Sequence, residues 1–251
     1  MELKNSRVIV TGGARGMGRH FTHRLREVGA SVVFCDLVPH AVEATARELD
    51  VPGIVADVSS EEDVSRLFDE ASDLLGGVPN GLIANAGITR DGLLLKRNRE
   101  TGEVSVLSKE HWDAVLAVNL TGPFLCMREF ARRAVEAEVG PAVAVHMSSV
   151  SRAGNVGQSN YSAAKAGLVA DTRVWARELS RYGVRVGAVA PGFVDTPMVA
   201  GVPDAVLAKI LKSVPLGRLI RPESIWQAVR FIFECDDFTG RVVEVDGGLV
   251  L

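Results

Sequence analysis

Cysteine is scarce in this chain and carries no pattern. Cys35, Cys126 and Cys235 are odd in number, lie far apart and form no CxxC pair, so neither a disulfide framework nor a zinc site is expected. An excess of basic charge is lacking as well. The 28 Lys+Arg face 31 Asp+Glu, a formal net charge of −3, which argues against the basic face that general nucleic-acid binding needs. Aromatic residues make up 6%, too few for an aromatic-rich recognition surface. No uncharged apolar run reaches the roughly 18 residues that would suggest a membrane span. The opening MELKNSRVIVTGG contains no apolar stretch followed by a cleavage site and does not read as a secretion signal. There is no HExxH and no acidic cluster to suggest a metal. A Pro/Ser-rich linker and low-complexity tracts are also missing, so residues 1–251 are read as a single domain. The expectation at this point is a cytoplasmic protein without metal, membrane or nucleic-acid partner.

What the chain does have is length and regular alternation. A chain of 251 residues, 47% hydrophobic, buries roughly 70–75% of its unfolded surface and builds a core without staples. Short β-branched runs occur at Arg7–Thr11, Ser31–Cys35, Gly53–Ala56, Gly81–Ala84, Val143–Met147, Val184–Val189 and Val242–Val245. Each is apolar at both odd and even positions, as strands covered on both faces should be. Helix-length amphipathic segments separate them. The pattern predicts an α/β, doubly wound (Rossmann-type) parallel seven-stranded sheet with helices on both faces. Gly29 suits a helix C-cap, and Ser59-x-x-Glu62 reads as a capping box. The largest irregular segments, Thr89–Ser108 and Pro191–Pro203, follow strands, at the sheet edge where open α/β folds bind ligands.

The first strand runs into Thr11-Gly12-Gly13-Ala14-Arg15-Gly16-Met17-Gly18 and then a helix. Gly12, Gly16 and Gly18 permit a tight turn and the approach of backbone to a pyrophosphate, and the helix start supplies free N–H groups and partial positive charge. Asp36 ends the second strand, near the offset at which a carboxylate binds adenosine ribose hydroxyls. A carboxylate there repels a 2′-phosphate, which predicts NAD(H) over NADP(H). Arg15 in the glycine loop pulls weakly the other way. Asp57, after the third strand, suits either the adenine amino group or the cap of the next helix, and Met17 and Val58 adjoin the same expected wall. Asn85-Ala86-Gly87, ending the fourth strand, lets the backbone lie close to the cofactor.

Tyr161 and Lys165 are i and i+4 on one helical face. An ammonium fixed near a phenol favours phenolate. Bringing a tyrosine from pKa ~10 to near neutrality takes about 4 kcal/mol, which one or two close cations in a partly dry site can supply. Tyr161 then gives a proton to a carbonyl oxygen or takes one from an alcohol, and a serine at the preceding strand end holds the same oxygen. His146 in that strand reads as a packed or hydrogen-bonded residue rather than a catalytic one.

Taken together, TGGARGMG, Asp36, Asn85–Gly87, Asn119 in VNLTG, the SS…YSAAK block and PGFVDTPM at 191–198 resemble the short-chain dehydrogenases/reductases over nearly the whole chain. Within that family the likeness is to the 3-oxoacyl-[acyl carrier protein] reductase-like branch, carried by NAGITRDGLL, GNVGQSNYSAAKAG, APGFVDTPM and EVDGG. The resemblance implies a tetrad of Asn119, a serine, Tyr161 and Lys165. Asparagine there holds a water that links the lysine to solvent, and the lysine also binds the nicotinamide ribose. Pro191, Gly192, Val194 and Thr196 match the loop that receives the nicotinamide and pyrophosphate end. Two departures stand out. The serine–tyrosine loop is one residue short, so loop length selects Ser148 whereas strand register selects Ser149, which is preferred. The segment Lys96–Ser108 is longer than usual.

The expected activity is hydride transfer between NAD(H) and a carbonyl or secondary alcohol, with a 3-oxoacyl or 3-hydroxyacyl thioester as substrate. The alternatives are a sugar, polyol or steroid alcohol, or a nucleotide-binding subunit without catalysis. A homotetramer is expected because the helical stretches at about His111–Glu138 and Ser159–Tyr182 are apolar over more than one face, with Phe124, Leu125, Phe130, Leu168, Val174 and Trp175. Arg90, Lys96, Arg97 and Arg99 against Asp91 form a basic rim at the expected mouth of the site, suited to the phosphates of an acyl carrier.

Overall fold

The computed structural model describes residues 1–200 and 204–249, with backbone only for Met198, Ala200, residues 204–206 and Lys209. The chain alternates β1 (Arg7–Thr11), α1 (Gly16–Glu27), β2 (Ser31–Asp36), α2 (Pro39–Leu49), β3 (Gly53–Val55), α3 (Glu61–Leu74) and β4 (Gly81–Ala84). A short antiparallel hairpin follows, β5 (Leu95–Arg97) and β6 (Val104–Val106), then α4 (Lys109–Leu116), a π-helical turn (Ala117–Thr121) and α5 (Gly122–Glu136). The second half comprises β7 (Ala142–Met147), α6 (Ser159–Leu179), β8 (Val184–Pro191), α7 (Pro197–Ala200), α8 (Asp204–Ser213), α9 (Pro222–Glu234) and β9 (Val242–Val245).

Seven strands form one parallel sheet in the order β3-β2-β1-β4-β7-β8-β9, the α/β Rossmann-type fold that the sequence predicts. Apolar residues at both strand parities have a direct cause. In β7, Val143, Val145 and Met147 enter the layer built by α1 and α9 around Phe21, Trp226 and Phe233. The intervening Ala142 and Ala144 enter the opposite layer, with Leu67, Phe68 and Phe130 from α3 and α5. The chain winds outward from β1 to β3, then returns to β4 on the other side of β1. That reversal opens a crevice between the carboxyl ends of β1 and β4, where such sheets bind ligands.

Three local readings are corrected. The N-cap of α3 is Ser60, whose hydroxyl accepts the Asp63 N–H at 3.2 Å. Ser59 instead donates to the Asp57 carboxylate through backbone and hydroxyl. The segment Thr89–Ser108, expected to be irregular, contains the β5–β6 hairpin. The segment Pro191–Pro203 begins in β8 and contains α7, and its last three residues lie outside those described. Among the described residues, no helix is long and apolar enough to cross a membrane. Nor does any group of three or more His, Cys, Asp or Glu among them suit a metal ion.

Candidate active site

The crevice is a cleft of about 450 Å³. Its first wall is the turn from β1 into α1. Gly12 adopts φ +63°, and a Cβ added at Gly18 would stand 2.0 Å from the Gly12 carbonyl oxygen. Only hydrogen atoms fit at both positions, so the turn packs directly on the Asn85 loop. Asn85 fastens it by donating from Nδ2 to the carbonyls of Thr11 (3.0 Å) and Gly12 (3.1 Å). Thr11 Oγ1 accepts the N–H groups of Asn85 and Ala86 in return.

At the adenosine end, Asp36 accepts the Ala14 N–H on one carboxylate oxygen (3.1 Å) and the Leu37 N–H on the other (2.9 Å). Two backbone donors therefore hold the negative charge against the glycine loop. Each oxygen keeps a lone pair for a ribose hydroxyl. Asp57 uses one oxygen to accept the Ser59 N–H and hydroxyl ahead of α3, whose cap is Ser60, while still lining the cleft.

The deep end of the cleft holds Tyr161 and Lys165 from α6. Lys165 is 3% exposed, its Nζ donates to the Met147 carbonyl at 2.7 Å, and it lies 5.4 Å from the Tyr161 ring centroid. Burial pushes the lysine down to about 8. It also pushes the Tyr161 phenol up to about 12; the neighbouring Ser149 hydroxyl opposes this rise, while the negative charge of Asp91 adds to it. The lowered phenol expected from the Tyr/Lys spacing is therefore not a property of the protein alone. The ammonium lies near the ring and is engaged by a strand carbonyl, so desolvation of the hydroxyl dominates.

The two serines differ in what their protons do. Ser148 Oγ donates to the Lys165 carbonyl at 2.8 Å and ties α6 to the end of β7. Ser149 Oγ accepts the Ser151 N–H at 3.1 Å and lies beside the phenol, which leaves its own proton free to donate. Asn119 is fully buried in the π-helical turn. Its Nδ2 donates to the Ile88 carbonyl (2.7 Å) and its Oδ1 accepts the Ile88 N–H (2.9 Å), so its amide group clamps the strand-end loop.

Of the residues read from the sequence, Gly12, Arg15, Gly16, Met17, Asp36, Asp57, Val58, Asn85, Ala86, Gly87, Ser148, Tyr161, Lys165 and Thr196 line the cleft. Gly18 and Asn119 support it from behind, and Ser149 lies beside the Tyr161 hydroxyl. Pro191 ends β8, Gly192 N–H donates to the Val245 carbonyl at 2.9 Å, and buried Val194 pairs with Ile220, so these three face the β9 side. Sequence reasoning missed Cys35, Leu37, Val38, Ala56, Ile88, Val118, Met147 and Pro197. Each adjoins a residue or motif it did select, and proximity to those motifs was the available signal. His146 is buried and packs against Trp175 with ring centroids 5.2 Å apart. Burial and then the Lys165 charge push it down to about 3, so it is neutral.

A glycine-lined crevice at the sheet reversal, with a half-buried tyrosine over a buried lysine at its deep end, defines a dinucleotide-dependent oxidoreductase site. A family model described as enoyl-(acyl carrier protein) reductase matches residues 12–250. The chain is similar to the (3R)-3-hydroxyacyl-CoA dehydrogenase of Mus musculus, 36% identical across 100% of this chain and 98% of that protein. It is 40% identical to the acetoacetyl-CoA reductase of Synechocystis sp., covering 98% of this chain and 96% of the relative. The 3-oxoacyl-[acyl-carrier-protein] reductase of Thermotoga maritima is 34% identical over the full length of both. The chain belongs to the short-chain dehydrogenase/reductase family. It is an oxidoreductase of a family that works with a nicotinamide cofactor. The glycine turn that lines the cleft at Gly12 and Gly16, with no atom within 3.8 Å of where a Gly16 Cβ would stand, fits that cofactor's pyrophosphate, and Asp36 fits its ribose.

Proposed function

We propose that the chain is an NAD(H)-dependent reductase of 3-oxoacyl thioesters, equally able to run as a 3-hydroxyacyl thioester dehydrogenase. One observation carries the chemistry: the half-buried Tyr161 phenol, with Ser149 beside its hydroxyl and Lys165 beneath its ring, closes the cleft that the glycine loop opens. The names of the three relatives above support the thioester class.

The cofactor, when bound, supplies the hydride for reduction or accepts it in oxidation. Ser149 donates its free proton to the substrate oxygen and fixes its position. Tyr161, protonated at neutral pH, gives its proton to that oxygen as negative charge develops. Lys165 has one N–H on the Met147 carbonyl and two left for ribose hydroxyls, and its charge stabilises the phenolate left behind. Asn119 holds the Ile88 loop in shape, and its main chain carries the water through which the proton is returned. Ser148 anchors α6. Gly12, Arg15, Gly16, Met17 and Gly18 receive the pyrophosphate, Asp36, Asp57 and Val58 the adenosine, and Asn85–Gly87 the nicotinamide side. Pro191, Gly192, Val194 and Thr196 form the loop over that end, with Thr196 at the cleft itself.

Turnover of acetoacetyl-CoA against a panel of polyols and hydroxy-steroids tests the substrate class. The thioester should exceed every other substrate by at least tenfold in kcat/KM. A polyol or steroid in first place would overturn the reading. The preference for NAD(H) rests on Asp36. Asp36→Ser should narrow the gap between NADH and NADPH by roughly tenfold, the effect of about 1.4 kcal/mol. A wild-type protein that turns over NADPH faster than NADH at equal concentration contradicts this assignment.

The assembly we propose is a homotetramer through α5 and α6. Leu125, Phe130 and Leu168 enter the chain's own core, whereas Phe124 remains 41% and Val174 48% exposed. Those two outward faces are what a partner would cover. Sedimentation at micromolar concentration should give four times the chain mass, and a monomer there refutes the assembly.

A further inference from the structure

The β5–β6 hairpin is the one regular element that the seven-stranded sheet does not absorb. Its registry pairs Leu95 with Val106 and Arg97 with Val104 on one face, and Lys96 with Ser105 on the other. All six residues are exposed, Leu95, Val104 and Val106 to 59%, 54% and 67%. A lone two-stranded ribbon is marginal in water. This one is bolted at its base to the segment that precedes Tyr161. Gly92 N–H donates to the Gly157 carbonyl at 2.8 Å, Gln158 Nε2 to the Asp91 carboxylate at 3.0 Å, and Asn160 Nδ2 to the Arg90 carbonyl at 3.1 Å. The hairpin therefore rises from the rim of the site itself.

Its charges are free to act. Arg90 donates to the neighbouring Thr89 carbonyl and Asp91 is taken by Gln158. Among the described residues, no carboxylate lies within ion-pair distance of Lys96, Arg97 or Arg99. Glu100 and Glu103 in the turn offset part of the rim charge that residues 90–99 alone would give.

We infer that the β5–β6 hairpin reads the coenzyme A handle of the substrate, its apolar face lying along the pantetheine arm, Arg97 on that face and Arg99 in the turn meeting the diphosphate and 3′-phosphate, and Lys96 on the other face adding attraction at longer range. The inference rests on the thioester reading above. With Leu93 and Leu94 at its base the hairpin exposes five apolar side chains, still well short of the roughly 20–30 residues a side of a stable protein interface, so a small polyanion suits the ribbon better than a carrier protein. Attraction of this kind weakens with salt.

The test uses the full chain and the combined variant Lys96→Ser/Arg97→Ser/Arg99→Ser, whose changes lie on exposed side chains. Coenzyme A itself, which cannot be reduced, is titrated by calorimetry into both proteins at low and high salt. The wild type should bind with an affinity that falls with salt, and the variant at least tenfold more weakly with little salt response. Kinetics should agree: the preference for acetoacetyl-CoA over acetoacetyl-N-acetylcysteamine, a phosphate-free thioester, should shrink at least tenfold in the variant. Equal coenzyme A affinity in both proteins, or an unchanged preference, overturns the hairpin's role even if thioesters are reduced well. A loss seen only with a thioester on an acyl carrier protein overturns the choice of coenzyme A. Failure of the wild type to reduce any thioester overturns the underlying reading and the hairpin's role in it, and shows directly in the wild-type rates.

Discussion

Tyr161→Phe is expected to lower kcat by about 10²–10⁴-fold, the range for removal of a general acid, while NADH binding stays within threefold of wild type. The change removes one oxygen from a ring whose packing is otherwise retained, so loss of fold cannot stand in for loss of chemistry. Ser149 has a free proton, but its hydroxyl is already engaged by the Ser151 N–H. It is placed to orient the substrate oxygen rather than to protonate it. Stopped-flow measurement of NADH oxidation with acetoacetyl-CoA, beside a fluorescence titration of NADH, separates the two quantities. A variant within threefold of the wild-type rate removes Tyr161 from the mechanism.

Lys165→Ala should weaken both steps at once, by about 10²-fold or more in kcat and by at least tenfold in NADH affinity, because one ammonium serves the phenol and the ribose. The buried ammonium also sets a pH dependence. With Lys165 pushed down to about 8, the group is charged below that pH and discharges above it. Tyr161, pushed up to about 12, remains protonated throughout. Carbonyl reduction should therefore hold from pH 6 to about 8 and decline above it. Lys165→Arg, which keeps its charge, should lack that decline at whatever rate it retains. A wild-type rate that climbs between pH 8 and 9.5 contradicts the assignment.

The sheet was legible because burial on both faces leaves its mark at every strand position. Val8, Ile9 and Val10 serve opposite layers in alternation, and no polar residue interrupts them. The glycine loop was legible for a steric reason, since the turn at Gly12 and the contact at Gly18 leave no room for a side chain. The hairpin was not legible. Its strands are three residues long and exposed throughout, so no burial pattern records them. The α3 cap slipped by one because Ser59 and Ser60 are adjacent and equally able to cap; only the Asp57 carboxylate, which takes Ser59, separates them. Strand register already favoured Ser149 over Ser148 in the sequence, and the proposal gains support from a partner that sequence does not show, the Lys165 carbonyl that takes the Ser148 proton. That the phenol is raised in the protein without its cofactor was not legible either. Spacing shows that Tyr161 and Lys165 share a helix face, but it does not show how dry the hydroxyl is.

The central claim is that this cleft moves a hydride between NAD(H) and the C3 carbon of an acyl thioester. The most direct measurement is reduction of acetoacetyl-CoA by NADH carrying deuterium at both C4 positions, with mass spectrometry of the product. Deuterium at C3 of 3-hydroxybutyryl-CoA, in amounts equal to the NADH consumed and formed at least 10²-fold more slowly with Tyr161→Phe, is the predicted result. Product without deuterium, or NADH left unconsumed while NADPH supports reduction of another carbonyl substrate, would contradict the claim.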